Sequence, residues 1–161
     1  MVGNDVIDLK LAAIESNWHR KGYLDKIFTT LEQHFINSSA DQNVQLWQLW
    51  SRKEAVYKLL LQKGILKGYY PKKIECLDTK TFGGKVVFDT CIYYTKTSFT
   101  TNYIHSAAVL HQTDLGAIKS IIWDANCVKI NSIPYLKVKN TFKNISKSHH
   151  GRFEEVVVLN F

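Results

Sequence analysis

The run LWQLWSRKEAVYKLLLQ, beginning at Leu46, limits most strongly what this chain can fold into. Its apolar residues recur at helical spacing, so Leu46, Trp47, Trp50, Val56, Leu59 and Leu60 share one broad side of an α-helix and demand burial. Arg52, Lys53 and Gln62 are expected to look outward. Such a helix needs a sheet or other helices to cover it. Within it Glu54 and Lys58 stand four residues apart and meet on one face. Taken alone, the pair reads as a surface ion pair worth about 0.3–0.5 kcal/mol. The alternative is an acid that holds a metal or takes a proton, beside a base that contacts phosphate.

The segments around this helix define its partners. Asp41, after Ser38 and Ser39, is the expected N-cap, and the helix is expected to stop near Gly64, ahead of Gly68 and Pro71. Met1 to Ile7 reads as a short strand, and GNDVID places Asp5 and Asp8 at its end, with Gly3 permitting close backbone approach. Two carboxylates leaving a strand make a platform for Mg²⁺, which prefers oxygen ligands and keeps several waters. Leu9 to Trp18 is weakly helical, His19 to Tyr23 is a basic turn, and KIFTTLEQHFINSS leads into the long helix. After Pro71 the period changes to two. KKIECLD, KVVFDTCIYYT and NYIHSAAVLH read as strands, with Phe82 to Lys85 (FGGK) as a hairpin signal between the first two. A strand around Ile118 to Trp123 is expected next, then a helix from Ile133 to about Lys143 opening on Pro134. The chain closes on a loop, SKSHHGRF, feeding a strand, EEVVVLNF. This order predicts an α+β fold, a long helix packed on a mostly antiparallel sheet. It forms one domain over residues 1–161, with a core of about 1–110 and an extension of about 111–161. No internal repeat is visible, although the half-like layout is compatible with two small lobes.

Composition narrows the function. Cys76, Cys91 and Cys127 are odd in number and widely spaced, which argues against a disulfide framework or a CxxC metal site and for reduced core residues. No apolar run is long enough for a membrane helix, and the acidic N-terminus does not read as a signal peptide, so a cytoplasmic location is expected. The formal net charge of +7 predicts an anionic partner. The lysines are spread along the chain without a helix-turn-helix, zinc-finger or RRM signature, so nucleic acid is the minority option.

VGNDVIDL near the start, WSRKEAVYK some forty-five residues later and SKSHHGRF near the end together resemble the 4′-phosphopantetheinyl transferase superfamily. The layout is similar to the short holo-acyl-carrier-protein synthase type. The resemblance implies a fold of that kind and transfer of phosphopantetheine from coenzyme A to a serine of an acidic acyl or peptidyl carrier protein. It implies Asp5 and Glu54 as Mg²⁺ ligands, with Asp8 as a further acidic position, and Glu54 also orienting or deprotonating the acceptor hydroxyl. It implies Lys58 on the phosphate and, with the +7 charge, steering of an acidic partner. A homotrimer with sites between subunits follows from the short type; the extra residues could instead let one chain complete its own site. A relative that binds coenzyme A or carrier protein without transfer is the alternative.

The third element departs from the pattern. The in-register stretch TKTSFTTNYIHSAAVL has Thr97 and Ser98 where a histidine is expected, whereas SKSHHG, Ser146 to Gly151, is the better match. His149 and His150 are therefore candidates for coenzyme A contact, with Arg152 able to grip phosphate bidentately. Leu49 replaces a basic residue of some members, leaving Arg52, Lys53, Arg20 or Lys21 to supply a further cation. His105, among apolar neighbours in a strand, reads as a hydrogen-bonded core or interface histidine.

Overall fold

The computed structural model describes residues 1–66 and 68–160. Its strands are β1 (Gly3–Asp8), β2 (Ile74–Cys76), β3 (Phe82–Phe88), β4 (Cys91–Phe99), β5 (Tyr103–Val109), β6 (Ile118–Ile121), β7 (Cys127–Ile130), β8 (Ile133–Val138), β9 (Thr141–His150) and β10 (Phe153–Leu159). Four helices, α1 (Leu9–Glu15), α2 (Tyr23–Ile27), α3 (Thr30–Ser38) and α4 (Gln42–Gln62), all lie between β1 and β2. The fold is α+β, as expected.

The central element, α4, lies across β1 and β5. It begins where the Asp41 carboxylate accepts from the Val44 amide at 3.0 Å, and Gly64 beyond its end takes a left-handed φ of 68°. Gly3 makes the close crossing possible, because a Cβ there would lie 1.9 Å from the Ala55 carbonyl oxygen. Leu46, Leu49, Val56, Leu59 and Leu60 are fully buried in one core with Phe28, Ile36, Ile74, Val86 and Ile104.

Helix α4 is enclosed on nearly every side, which corrects the expectation that Arg52 and Lys53 face outward. Both are fully buried. Arg52 donates to Thr95 Oγ1 at 2.8 Å, the Lys85 carbonyl at 3.2 Å and the Asp78 carbonyl, and Gly84 leaves room for its guanidinium. Lys53 pairs with fully buried Glu32, which also closes the capping box of α3 with Thr29 and accepts from the Cys76 amide. A charge removed from water must be paired, so these two hold α4 to its surroundings and present nothing to a ligand. Gln62 is half-buried and also turns inward, donating to the Val2 and Ile145 carbonyls.

Among the described residues the strands form two five-stranded antiparallel sheets, ordered β1-β5-β4-β3-β2 and β6-β10-β9-β8-β7. The two orders are the same plan: a four-strand meander whose last strand pairs with the strand preceding it. The expectation of no internal repeat is thus corrected at the level of topology. Sequence hid the repeat because the helices between β1 and β2 have no counterpart between β6 and β7, where only residues 122–126 intervene. What survives is Thr95-Lys96-Thr97 in β4 against Ser146-Lys147-Ser148 in the corresponding β9.

Further expectations fail in the second half for local reasons. The helix from Ile133 to about Lys143 is instead β8, a turn and the start of β9. Asn131 and Ser132 take φ of 50° and 67°, the two positive values of a tight hairpin turn, and Pro134 falls near the strand start, where a missing N–H is tolerated. FGGK is the irregular opening of β3, with Gly83 at φ 71°; the hairpin to β4 turns at Asp89, φ 55°. SKSHH is strand β9, and only Gly151 and Arg152 form the turn. Cys76 and Cys127 are buried as expected, whereas Cys91 is exposed.

Candidate active site

Strand β1 is buried along its whole length, with α4 against it and the second sheet meeting the edge that β5 leaves free. Side chains of β9 close that edge. The Asn4 amide donates to Ser146 Oγ at 2.9 Å and the Asp8 amide to His150 Nδ1 at 2.8 Å, while Asn4 Nδ2 donates to Ser148 Oγ at 3.2 Å. Ser146, Ser148 and His150 alternate along β9 and so share one face.

On the α4 side, Asp5 receives Lys58 Nζ at 3.0 Å on Oδ1. Its Oδ2 is buried and has no hydrogen-bond partner among the described residues. Burial pushes the Asp5 carboxyl above its ordinary value, with Lys58 pulling the other way. Glu54, one turn before Lys58, is near enough to feel the charge of Asp5. Burial first, and that charge second, push its carboxyl up to about 7, against the pull of Lys58 and the Tyr69 hydroxyl. The structure therefore brings together Asp5, Glu54 and Lys58, as the sequence predicted. It also adds Tyr69, which packs edge-on against Trp50 and Tyr57. No sequence signal marked Tyr69, because its place depends on how the segment after α4 returns.

Asp8 is directed elsewhere. Strand geometry continues through it, so an odd spacing from Asp5 puts the two carboxylates on opposite faces. Arg152 grips it with Nε on Oδ2 and Nη2 on Oδ1, both at 2.8 Å, and the carboxylate also caps α1 at the Lys10 and Leu11 amides. The Arg152 guanidinium holds the Asp8 carboxyl well below the usual range. His150, not His149, reaches this neighbourhood; its Nε2 lies 3.5 Å from Glu15, whereas His149 is exposed on the other face of β9. His105 bonds Asn4 Nδ2 at 3.2 Å, and burial pushes its imidazole down to about 4. Arg20 and Lys21 are exposed on the α1–α2 turn and line a separate hollow with Trp18 and Asp25.

Two hollows flank the acids. One of about 190 Å³ is lined by Val6, Glu15, Trp47, Trp50 and His150. The other, about 180 Å³, opens between α4 and the second sheet and is lined by Lys58, Leu61, Gln62, Pro134, Ser146 and Lys147. Among the described residues no group of three or more His, Cys, Asp or Glu converges. Asp5 and Glu54 nevertheless suit Mg²⁺, which is commonly held by one or two carboxylates with waters and substrate phosphates completing the shell. The buried, unpartnered Asp5 Oδ2 is the oxygen such an ion would use.

Two carboxylates and a lysine gathered between the first strand and the central helix form the candidate site of this α+β protein. The family model of the 4′-phosphopantetheinyl transferase superfamily matches residues 1–110, and the chain belongs to that superfamily. Among solved structures it is similar to the holo-[acyl-carrier-protein] synthase of Helicobacter pylori, crystallised with coenzyme A. The two are 14% identical with a TM-score of 0.55, covering 69% of this chain and 100% of that one. The synthase of Neisseria meningitidis is 13% identical at a TM-score of 0.54, covering 68% and 96%. That of Thermotoga maritima is 12% identical at 0.53, covering 99% of this chain and 83% of its own. No curated protein matches the chain. Among the described residues no helix is long and apolar enough to cross a membrane.

Proposed function

We propose that this chain transfers 4′-phosphopantetheine from coenzyme A to a serine of an apo acyl or peptidyl carrier protein, releasing 3′,5′-ADP. The observation that carries this reading is the meeting of Asp5, Glu54 and Lys58 between β1 and α4. The serine hydroxyl attacks the β-phosphorus, and the bond to the 3′,5′-ADP oxygen breaks. Glu54, with a carboxyl that titrates near neutrality, takes the serine proton. Lys58, held by Asp5, neutralises charge on the pyrophosphate. Mg²⁺ on Asp5 and Glu54 would supply further charge stabilisation at the phosphate oxygens. We infer that His150 rather than His149 contacts the nucleotide, with Arg152 supporting it through Asp8, whose amide donates to His150 Nδ1.

The same geometry supports a site completed within one chain instead of a homotrimer. β9 brings Ser146, Ser148 and His150 to β1 from the repeated sheet of the same chain. Light scattering of a monomer that is active at nanomolar concentration supports this arrangement; activity confined to a trimer refutes it.

Purified protein incubated with coenzyme A, Mg²⁺ and an apo carrier protein is expected to add one phosphopantetheine mass to the carrier. Glu54→Gln is expected to abolish the gain while circular dichroism stays unchanged. A second reading, binding without transfer, is favoured by Thr97 and Ser98 in place of a histidine on β4. Calorimetric binding of coenzyme A or carrier with no mass gain selects it.

A further inference from the structure

The strands that close the active site continue past it. β7, β8 and β9 form a three-stranded ribbon, and the face of β9 that presents Ser146 and Ser148 to β1 carries Phe142 at its far end. Register puts Tyr135, Lys137 and Ile130 on this same face, since Lys137 lies opposite Phe142 and Ile130 opposite Ile133. Phe142 is 52% exposed and Ile130 45%, and Tyr135 meets Phe142 edge-on at 6.3 Å. The near end of the ribbon is tied to the catalytic lysine, because Ile133 and Pro134 line the same hollow as Lys58.

Charge sets this ribbon apart from the rest of the molecule. Residues 125–153 contain six lysines and arginines and no acid, nearly the whole of the formal net charge of +7. Lys137 is exposed on this face and Lys139 at the hairpin tip beside the apolar centre, whereas Lys143, opposite Leu136, points to the other face. An aromatic centre with a charged rim is the anatomy of a protein interface. Cations spread around a rim suit an extended acidic surface; a single phosphate would need them converged on one point. From Ser146 to Thr141 the strand runs roughly 17 Å, at about 3.3 Å per residue. A small protein seated on the ribbon therefore reaches the hollow beside Lys58.

We propose that the free face of β7, β8 and β9 is the docking surface for the acidic protein that presents the acceptor serine. The surface lies wholly outside the residues 1–110 matched by the family model, and the proposal rests on the transferase reading above. The occupant is fixed by charge complementarity.

The test is Lys137→Glu/Lys139→Glu in the full chain, with Phe142→Ser as a second variant and Lys143→Glu as the opposite-face control; all four side chains are exposed, so folding is retained. In steady state with an acidic apo carrier protein and coenzyme A, the double lysine variant is expected to raise the carrier KM at least tenfold, and Lys143→Glu to change it less than twofold. The double variant's kcat and coenzyme A KM are expected to stay within twofold of wild type. Raising NaCl should weaken wild-type kcat/KM for the carrier and leave the variant nearly flat. A carrier KM within twofold in both variants overturns the proposal, and so does an effect confined to the coenzyme A KM, which would make the ribbon a nucleotide surface. Wild-type self-association abolished by the same changes also overturns it, in favour of a second copy. Direct titration of apo carrier into each protein separates failure of the transferase reading from failure of the docking surface. Binding lost in the variant supports the surface even without turnover, and no wild-type binding refutes it.

Discussion

Gly3→Ala tests the contact on which the site geometry depends. The added Cβ would lie 1.9 Å from the Ala55 carbonyl oxygen, 2.9 Å from the Leu59 nitrogen and 3.0 Å from the Ala55 carbonyl carbon. All three are backbone atoms of α4, so no side chain can swing away. Strand and helix must separate by roughly 1 Å before the contact becomes tolerable. Overpacking of this kind costs about 1–3 kcal/mol and sometimes more, and a backbone-to-backbone clash belongs at the upper end. At about 2–4 °C per kcal/mol for a chain of this size, Tm is expected to fall by about 6–12 °C. Gly116→Ala is the control, since a Cβ there meets nothing within 4 Å. Thermal unfolding followed by circular dichroism, with urea midpoints alongside, gives both values. The separation also draws Asp5 from Lys58, now 3.0 Å apart, so transfer activity should fall further than stability alone explains. A Gly3→Ala protein melting within about 2 °C of wild type would refute the close crossing of β1 and α4.

Other outcomes follow from the same contacts. Lys53→Met leaves Glu32 buried and unpaired and is expected to destabilise by about 3–5 kcal/mol in denaturant titration, more than Lys53→Met/Glu32→Gln; a loss under about 1 kcal/mol would contradict the buried pair. The Glu54 carboxyl is raised from 4.5 to about 7 in the fold, so the stability it contributes is present below pH 4.5 and is lost as pH rises through 7. Without divalent cation, Glu54→Gln should remove this loss, on the order of 3 kcal/mol, and a pH-stability curve identical to wild type would exclude the raised value. Asp8 is shifted the opposite way, so its contribution is present above 3.8 and lost as pH falls further. The Tm deficit of Arg152→Ala should accordingly be largest near pH 7 and shrink below pH 3.8; a deficit independent of pH would mean that the arginine acts through packing.

How much of this was legible beforehand differs between the two halves. The helix from Gln42 to Gln62, its Asp41 cap and the strand beginning at Gly3 were readable because periodicity and capping are local properties. So were Asp5, Glu54 and Lys58, which lie on just two elements. Spacing misled at Asp8, where a strand places residues three apart on opposite faces, and at His149, where the period of two selects His150. It misled again at Ile133 to Lys143, where turns with positive φ at Asn131, Ser132 and Lys139 decide for a hairpin over a helix.

The sequence by itself determined a buried central helix, a strand carrying an acid against it, and a net positive charge. Only the tertiary structure decided that Arg52 and Lys53 lie inside, that the extension repeats the first sheet, and that β9 closes the free edge of β1. The reason is physical: periodicity records whether a side must be covered, whereas the identity of the covering element depends on contacts between residues distant in sequence, such as Arg52 with Thr95, Asn4 with Ser146 and Asp8 with Arg152.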